Sequence, residues 1–499
     1  MVQILIIVGA GAFITLPWLA SHGLSSSEGH RVMPALEMLA TGDWMVTSMF
    51  GQDYLRKPQG VPWVFALALM VHDDPVLMPR LVSAVAFVAT AIGAWCFARR
   101  WFGPGAALGA ALATLLTPVL WYPARSAEIE SLNNLFAALS AWLIVEHLRQ
   151  RARGTRPGAV WGVALGASVL AMLLMKGPAG VPAILGVLVA GAVLSRSWRT
   201  LAWWRVWAPV LAAAAVFGAW WSWTLAAADQ DAIAQSPGFF MFKSDRPLRY
   251  VGFIPAVLLS ALPMSLALLL PWGRDAVREH ARASETARVG FRTARTLALG
   301  CLIGIGLMLV LGISNERYTQ PVFVTLGPLC GWALVSSGLA RPDWAGRGMP
   351  VMMAHRRRIA RWMTLGAPGV LGAVILLAAP IYAARYEPAR RGESGRSHGR
   401  EAADAMRESL APGAYTILAD DMVEARPETL LAIERSLEGG GVTAQGRWDP
   451  GLDTPITGRT LALIRTDSIS REPERFPDAT VLWRGAFHGF ECALIDPAE

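Results

Sequence analysis

The chain alternates long apolar runs with short polar connections for most of its length. Apolar stretches of about 17–22 residues fall at 3–22, 78–98, 104–121, 131–148, 159–175, 178–195, 207–227, 252–271, 296–313, 318–339 and 362–383. At 1.5 Å of rise per residue each is long enough to cross about 30 Å of hydrocarbon. The pattern therefore predicts a mainly α, polytopic membrane protein with about eleven transmembrane helices. The first run, Ile4 to Ala20, lacks a basic flank and a small-residue cleavage site, and it reads as a retained span.

The pattern changes near residue 384. "RYEPARRGESGRSHGREAAD" reads as a polar linker, and short strand-like runs follow: "AYTILAD", "RTLALIRT", "ATVLWRG" and "FECALID". Helical stretches are predicted near 400–411 and 424–437. The expected organisation is a transmembrane region over 1–383 and a soluble α/β domain over 384–499.

Between the first two runs lies a long polar connection. Residues 31–41 have helical spacing with Val32, Leu36 and Leu39 apolar, which predicts an amphipathic helix along the membrane surface. "KPQGVPWVFALALMV" predicts a second helix, opened by Lys57-Pro58.

Charge sets the orientation. Basic residues cluster in alternate connections: Arg99-Arg100, "RQRARGTR", "SRSWRTLAWWR", then six arginines in each of 272–295 and 341–361. Retention on the cytoplasmic side follows Lys and Arg. The amino terminus is expected in the cytoplasm and the C-terminal domain outside. That domain carries 14 arginines against 20 acids, although the whole chain has a net charge of +8. The sequence pI near 9.7 is explained by these loops, so no nucleic-acid partner is expected. Four cysteines without metal-ligand or CxxC spacing predict neither a zinc site nor a disulfide framework.

Only three of the 45 Lys and Arg residues are lysine. Lys57, Lys176 and Lys243 all fall in connections assigned to the outer face. A compact ammonium suits a phosphate as a point charge. The same face gathers Glu28, His30, Arg31, Arg56, Arg125, Glu128, Glu130, Arg246, Arg317 and Tyr318. This predicts a shared outward-facing cavity for an anionic lipid headgroup, with Glu28 or Glu130 available for proton transfer. No GxxxxGK[ST] loop is present, so a nucleotide-dependent reaction is not indicated. A transporter would place such charges near the bilayer midplane on repeated halves. That reading remains an alternative, as does a catalytically inactive lipid-binding homologue.

In consistent order over about residues 5–340, "E-x-H-R", "EMLATGDW", "YLRKP", "G-x-P-W", "R-x-x-x-x-E", "MKGP", "ALPMSLALLLPW" and "ERYTQP" resemble the polyprenyl-phosphate-dependent glycosyltransferases of the GT-C fold. Within these the likeness is to lipid A aminoarabinose transferases and to relatives of the protein O-mannosyltransferases. The resemblance implies an inverting transfer of a sugar from a polyprenyl phosphate to an acceptor hydroxyl at the periplasmic face of a bacterial inner membrane. The acceptor is a lipid, a glycan or a protein. The family's first acidic motif, usually Asp-Glu, reads Ser27-Glu28 here, which makes Glu28 the implied base. Its second acid matches Glu130, with Glu130 or Arg125 as the orienting group. Lys57 and Lys176 match the lysines expected on the donor phosphate, with Lys243, Arg246 and Arg317 as further contacts. In aminoarabinose transferases a glutamate linked to a metal precedes the first of these lysines. Arg56 occupies that position, so a divalent cation is kept only as an option and no metal residues are assigned.

Overall fold

The computed structural model describes residues 1–21, 23–24, 26–155, 157–229, 249–269, 284–311, 313, 316–336, 387–419, 428–438, 441–448, 459–465, 480–487 and 490–496. Helix α1 (Val2–Thr15) opens the chain. A surface assembly follows: α2 (Ser26–Thr41), a short hairpin β1 (Ser48–Met49) and β2 (Gln52–Asp53), and α3 (Gly60–Leu69). The main bundle comprises α4 (Leu77–Phe102), α5 (Pro104–Leu115), the short α6 (Trp121–Ala124), α7 (Ile129–Ala152), α8 (Ala159–Lys176), α9 (Val181–Ser195) and α10 (Trp204–Ala227). Helices α11 (Arg249–Ser260), α12 (Glu285–Val310), α13 (Gln320–Phe323) and α14 (Gly327–Ser336) complete its described part. Among the described residues, four helices are long and apolar enough to cross a membrane, or up to five if a bent pair counts as one span. The run at 362–383 lies outside the described residues.

The predicted span at 252–271 divides between a helix ending at Ser260 and a 3-10 turn at Met264–Leu269, and two others are interrupted at prolines. Pro118 cannot continue a helix. The run at 104–121 therefore stops at Leu115 and resumes as Pro118–Ala124 at 61° to α5. The run at 318–339 is divided among short helical pieces, with Pro321 and Pro328 near the starts of α13 and α14.

The connection Lys176-Gly177-Pro178 is a true reversal. Gly177 takes φ 62°, a conformation glycine adopts without steric cost. A side chain on Gly180 would collide with Met172 and Ala137. In a straight helix Met172 would lie about 12 Å away along the axis. Thus α8 runs antiparallel to α7, and α9 returns alongside α7. Gly186 and Gly300 let α9 and α12 approach backbone to backbone, since a Cβ on either would strike the other helix. This reversal puts Lys176 at the same end of the bundle as the start of α7.

After α15 (Glu387–Ser409) comes β3 (Gly413–Ala419), then α16 (Glu428–Leu437), β4 (Val442–Trp448), β5 (Thr460–Arg465), β6 (Thr480–Phe487) and β7 (Phe490–Asp496). The strand order is β4-β3-β5-β7-β6, parallel in its first three strands and antiparallel through β7. Ala402, Met406, Leu430 and Ile433 from the helices join Ile417, Leu461 and Leu494 from the sheet in one core. That core is continuous with Val32, Met33 and Met38 of α2, so this small domain rests on the surface assembly. The strand at β4 was not among those predicted; "VTAQGRW" has too few apolar residues to mark an edge strand. The stretch read as a linker is instead the beginning of α15.

Within the surface assembly Glu37 organises the hairpin. Its carboxylate accepts from the Ser48 hydroxyl at 2.5 Å and from the backbone N–H groups of Phe50 and Gly51. Burial raises its pKa even so. The hairpin in turn delivers Tyr54, Arg56 and Lys57 to the mouth of the bundle.

Candidate active site

Two acid–base clusters sit where α2 meets the starts of α4 and α7. In the first, Arg80 of α4 is only 1% exposed and holds Glu28 by two parallel bonds of 2.8 Å, Nε to Oε1 and Nη2 to Oε2. Its remaining donors go to the carbonyls of Leu19 and Gly23, each at 2.8 Å. Glu28 also accepts from Ala127 N at 2.7 Å. The pair thus ties three chain segments together, and both Glu28 oxygens are engaged by structure.

In the second cluster, Glu130 in the first turn of α7 takes Lys176 Nζ at 2.6 Å and Arg317 through Nε at 2.6 Å and Nη2 at 2.8 Å. Tyr318 lies under the same lysine, its ring centroid 4.5 Å from Nζ. Arg317 Nη2 also reaches Glu128 Oε2 at 2.5 Å. The other oxygen of Glu128 accepts from Ser27 Oγ and from Tyr122 OH at 3.5 Å. Glu128 precedes α7 and is fully buried; burial drives its pKa up while Arg317 opposes the shift. The two carboxylates therefore differ in kind. Glu130 is saturated by two cations, and Glu128 has one cation on one oxygen and two hydroxyls on the other.

Beside this cluster lies a small cleft, partly open to solvent. His30, Arg31, Tyr54, Lys57 and Ile129 line it, together with Thr47, Pro58, Val61 and Pro62. Tyr54 OH bonds His30 Nδ1 at 3.0 Å and also engages Arg31 and Arg56. Ile129 joins the cleft to the carboxylates on either side of it in sequence. Two buried polar atoms here have no hydrogen-bond partner among the described residues, Arg31 Nε at the wall and Gln59 Oε1 behind it. Lys57 faces three cations, Arg31, Lys176 and Arg56, and one acid, Glu130. Burial, then repulsion from Arg31 and Lys176, lowers its pKa to about 8. Five cations, Arg31, Arg56, Lys57, Lys176 and Arg317, gather here around two carboxylates, Glu128 and Glu130. Such a half-buried gathering of cations is a site for an anion.

The residues expected from sequence are thus divided. Lys57, Lys176, His30, Arg31, Arg56, Glu130, Arg317 and Tyr318 are gathered in one place. Glu28 stands next to it, committed to Arg80. Arg125 is directed elsewhere: its guanidinium donates to the carbonyls of Ile14 at 2.6 Å, Thr15 at 3.3 Å and Pro17 at 2.6 Å, capping the C-terminal end of α1. Lys243 and Arg246 lie outside the described residues. A divalent cation does not fit the donor set. The position next to Lys57 holds the Arg56 guanidinium, bound to Tyr54, and no group of three metal-ligating side chains occurs among the described residues. Ser27, Tyr122 and Arg80 were not among the candidates, and Glu128 was placed on the outer face without a role. Arg80 carried a signal, as an ionisable residue inside an apolar run.

The architecture and the sequence define the same class, the GT-C membrane fold. Residues 56–223 match the family model described as dolichyl-phosphate-mannose-protein mannosyltransferase. The crystal structure of ArnT from Cupriavidus metallidurans bound to undecaprenyl phosphate is similar with a TM-score of 0.66 at 19% identity, covering 98% of this chain and 97% of that one. The archaeal oligosaccharyltransferase AglB from Archaeoglobus fulgidus, in complex with an inhibitory peptide and a dolichol-phosphate, gives 0.50 at 11% identity, over 85% of this chain and 63% of that one.

By sequence, the chain is 34% identical over 110 residues to undecaprenyl phosphate-alpha-4-amino-4-deoxy-L-arabinose arabinosyl transferase 2 of Pseudomonas fluorescens. It is 28% identical over 166 residues to arabinosyl transferase 1 of that species. These matches span 22% and 32% of this chain, and 19% and 28% of the relatives' own length. The resemblance read from the motifs, to a GT-C glycosyltransferase related to aminoarabinose transferases and O-mannosyltransferases, is borne out.

Proposed function

We propose that this protein transfers a sugar from a polyprenyl-phosphate donor to an acceptor hydroxyl, with inversion, at the periplasmic face of a bacterial inner membrane. The observation that carries this reading is the gathering of Arg31, Lys57, Lys176 and Arg317 around two buried glutamates beside a cleft at one end of an apolar helix bundle. The names of the similar proteins agree with it. The donor phosphate lies against Lys57, Arg31 and Arg317, with its tail along the helices. The amino terminus lies in the cytoplasm, since the arginine-rich helix ends are opposite the cleft.

The cations act on the leaving group. Negative charge grows on the phosphate as the sugar–oxygen bond breaks, and preorganised cations stabilise that state more than the ground state. Glu130 keeps Lys176 and Arg317 aimed into the site. Glu128, raised by burial, is the proton acceptor for the incoming hydroxyl. Glu28, the base implied by the family motif, acts instead through Arg80 as a brace.

The test is incubation of purified protein with labelled polyprenyl-phosphate sugar and an envelope extract. Labelled acceptor is the expected result. Retention of donor without turnover would instead indicate a lipid-presenting protein, and the absence of both retention and turnover would remove the proposal altogether. Lys57→Met should weaken donor binding at least tenfold.

Lys57 also predicts a pH profile. The donor phosphodiester keeps one negative charge throughout, so only the ammonium titrates. In the free site Lys57 loses its proton near pH 8, and donor binding restores it. Accordingly kcat/KM for the donor should fall above about pH 8 with unit slope, while kcat holds to higher pH. Lys57→Arg should shift that limb upward. A kcat/KM independent of pH from 7 to 10 would exclude Lys57 from donor capture.

A further inference from the structure

The proposed proton acceptor cannot meet the acceptor hydroxyl directly. The side chain of Glu128 is 0% exposed. Arg317 covers Oε2, and Ser27 and Tyr122 cover Oε1. Ser27 is half-buried, in the first turn of α2. It lies four residues before Arg31 and so on the same helical face. Arg31 lines the cleft. The Ser27 hydroxyl is thus a half-buried polar group bonded to the carboxylate, on the helix that also carries Arg31 of the cleft. Tyr122 reaches the same oxygen only at 3.5 Å, the outer limit of a hydrogen bond.

We infer that Ser27 relays the proton. This inference rests on the reading of the protein as a sugar transferase, and it concerns how the acceptor is activated. The acceptor hydroxyl hydrogen-bonds to Ser27 Oγ. As its oxygen attacks the anomeric carbon, its proton passes to Ser27 Oγ, and the proton already on Ser27 passes to Glu128 Oε1. The new carbon–oxygen bond forms while the bond from that carbon to the phosphate oxygen breaks. The electron pair leaves with the polyprenyl phosphate, beside Lys57 and Arg317. Serine is regenerated neutral, and Glu128 leaves the step protonated. A relay lets a carboxylate serve as base from a position whose burial makes it a better one.

The relay predicts that a carboxylate at position 27 would make Glu128 dispensable. Full-length protein in detergent is assayed for retention of labelled donor and for transfer. Ser27→Ala should hold donor within about twofold of the parent and lose transfer by about a hundredfold or more. Glu128→Gln should behave alike. Ser27→Asp should transfer measurably, and Ser27→Asp with Glu128→Gln should match it within a few fold. The parent's kcat should depend on solvent deuterium content as two moving protons require, and that of Ser27→Asp as one. Parental turnover in Ser27→Ala would overturn the relay while leaving the transferase reading intact. So would a double variant as inactive as Glu128→Gln. If the parent neither holds donor nor transfers, the transferase reading fails and takes the relay with it.

Discussion

Glu128→Gln is expected to reduce sugar transfer by about 10²–10⁴-fold while donor binding changes little. Glutamine keeps the volume and one carbonyl oxygen, so Arg317 and Ser27 retain a neighbour of nearly the same shape. What disappears is the capacity to hold a proton. Glu130→Gln should fail differently. Lys176 is buried and has Glu130 as its bonded carboxylate, at 2.6 Å, and Arg317 donates to the same group. Without that charge both cations lose their orientation, and donor affinity and thermal stability should drop together. Donor retention and melting temperature measured alongside turnover separate the two glutamates. Equal losses of binding in both variants would mean that Glu128 is merely part of the phosphate cradle.

The cluster at this end of the bundle was legible because of where its members sit. Lys176, Glu130 and Arg317 each stand at the edge of an apolar run, and three edges at one end of a bundle have little room to diverge. The helix reversal at Gly177 and the hairpin pinned by Glu37 supply the convergence that spacing alone could not give. Pairing was the part hidden from sequence. Glu28 looked like a free acid in a polar loop, and its partner lies 52 residues away inside a run whose mean hydropathy conceals a single arginine. Arg125 looked like a site residue for the same reason, although it is taken by carbonyl groups of α1 more than 100 residues earlier. Periodicity reports which face a residue occupies, and it carries nothing about which distant segment meets that face. The same limit hid β4, whose place in the sheet is set by its parallel pairing with β3 and hardly by its own apolar content.

Removing Arg80 should be among the most damaging single changes to the fold. Its guanidinium is 1% exposed, as is its partner carboxylate. Arg80→Ala takes the guanidinium from the buried Glu28 carboxylate and frees the carbonyls of Leu19 and Gly23. Breaking a buried pair from one side costs about 3–5 kcal/mol, because the orphaned charge keeps its desolvation penalty. Thermal unfolding in detergent should therefore shift down by several degrees, with loss of membrane-inserted yield. Replacing both members, Glu28→Leu with Arg80→Leu, removes the penalty with the charge and should be milder than Arg80→Ala alone. The decisive comparison is Glu28→Gln. A brace predicts lower stability with turnover per folded molecule preserved, because the glutamine still accepts from Arg80 and Ala127. A catalytic base predicts the reverse, normal melting with turnover abolished. These outcomes diverge on two separate axes, so one variant decides whether the acid in the first loop works on the substrate or only on the helix that presents Ser27.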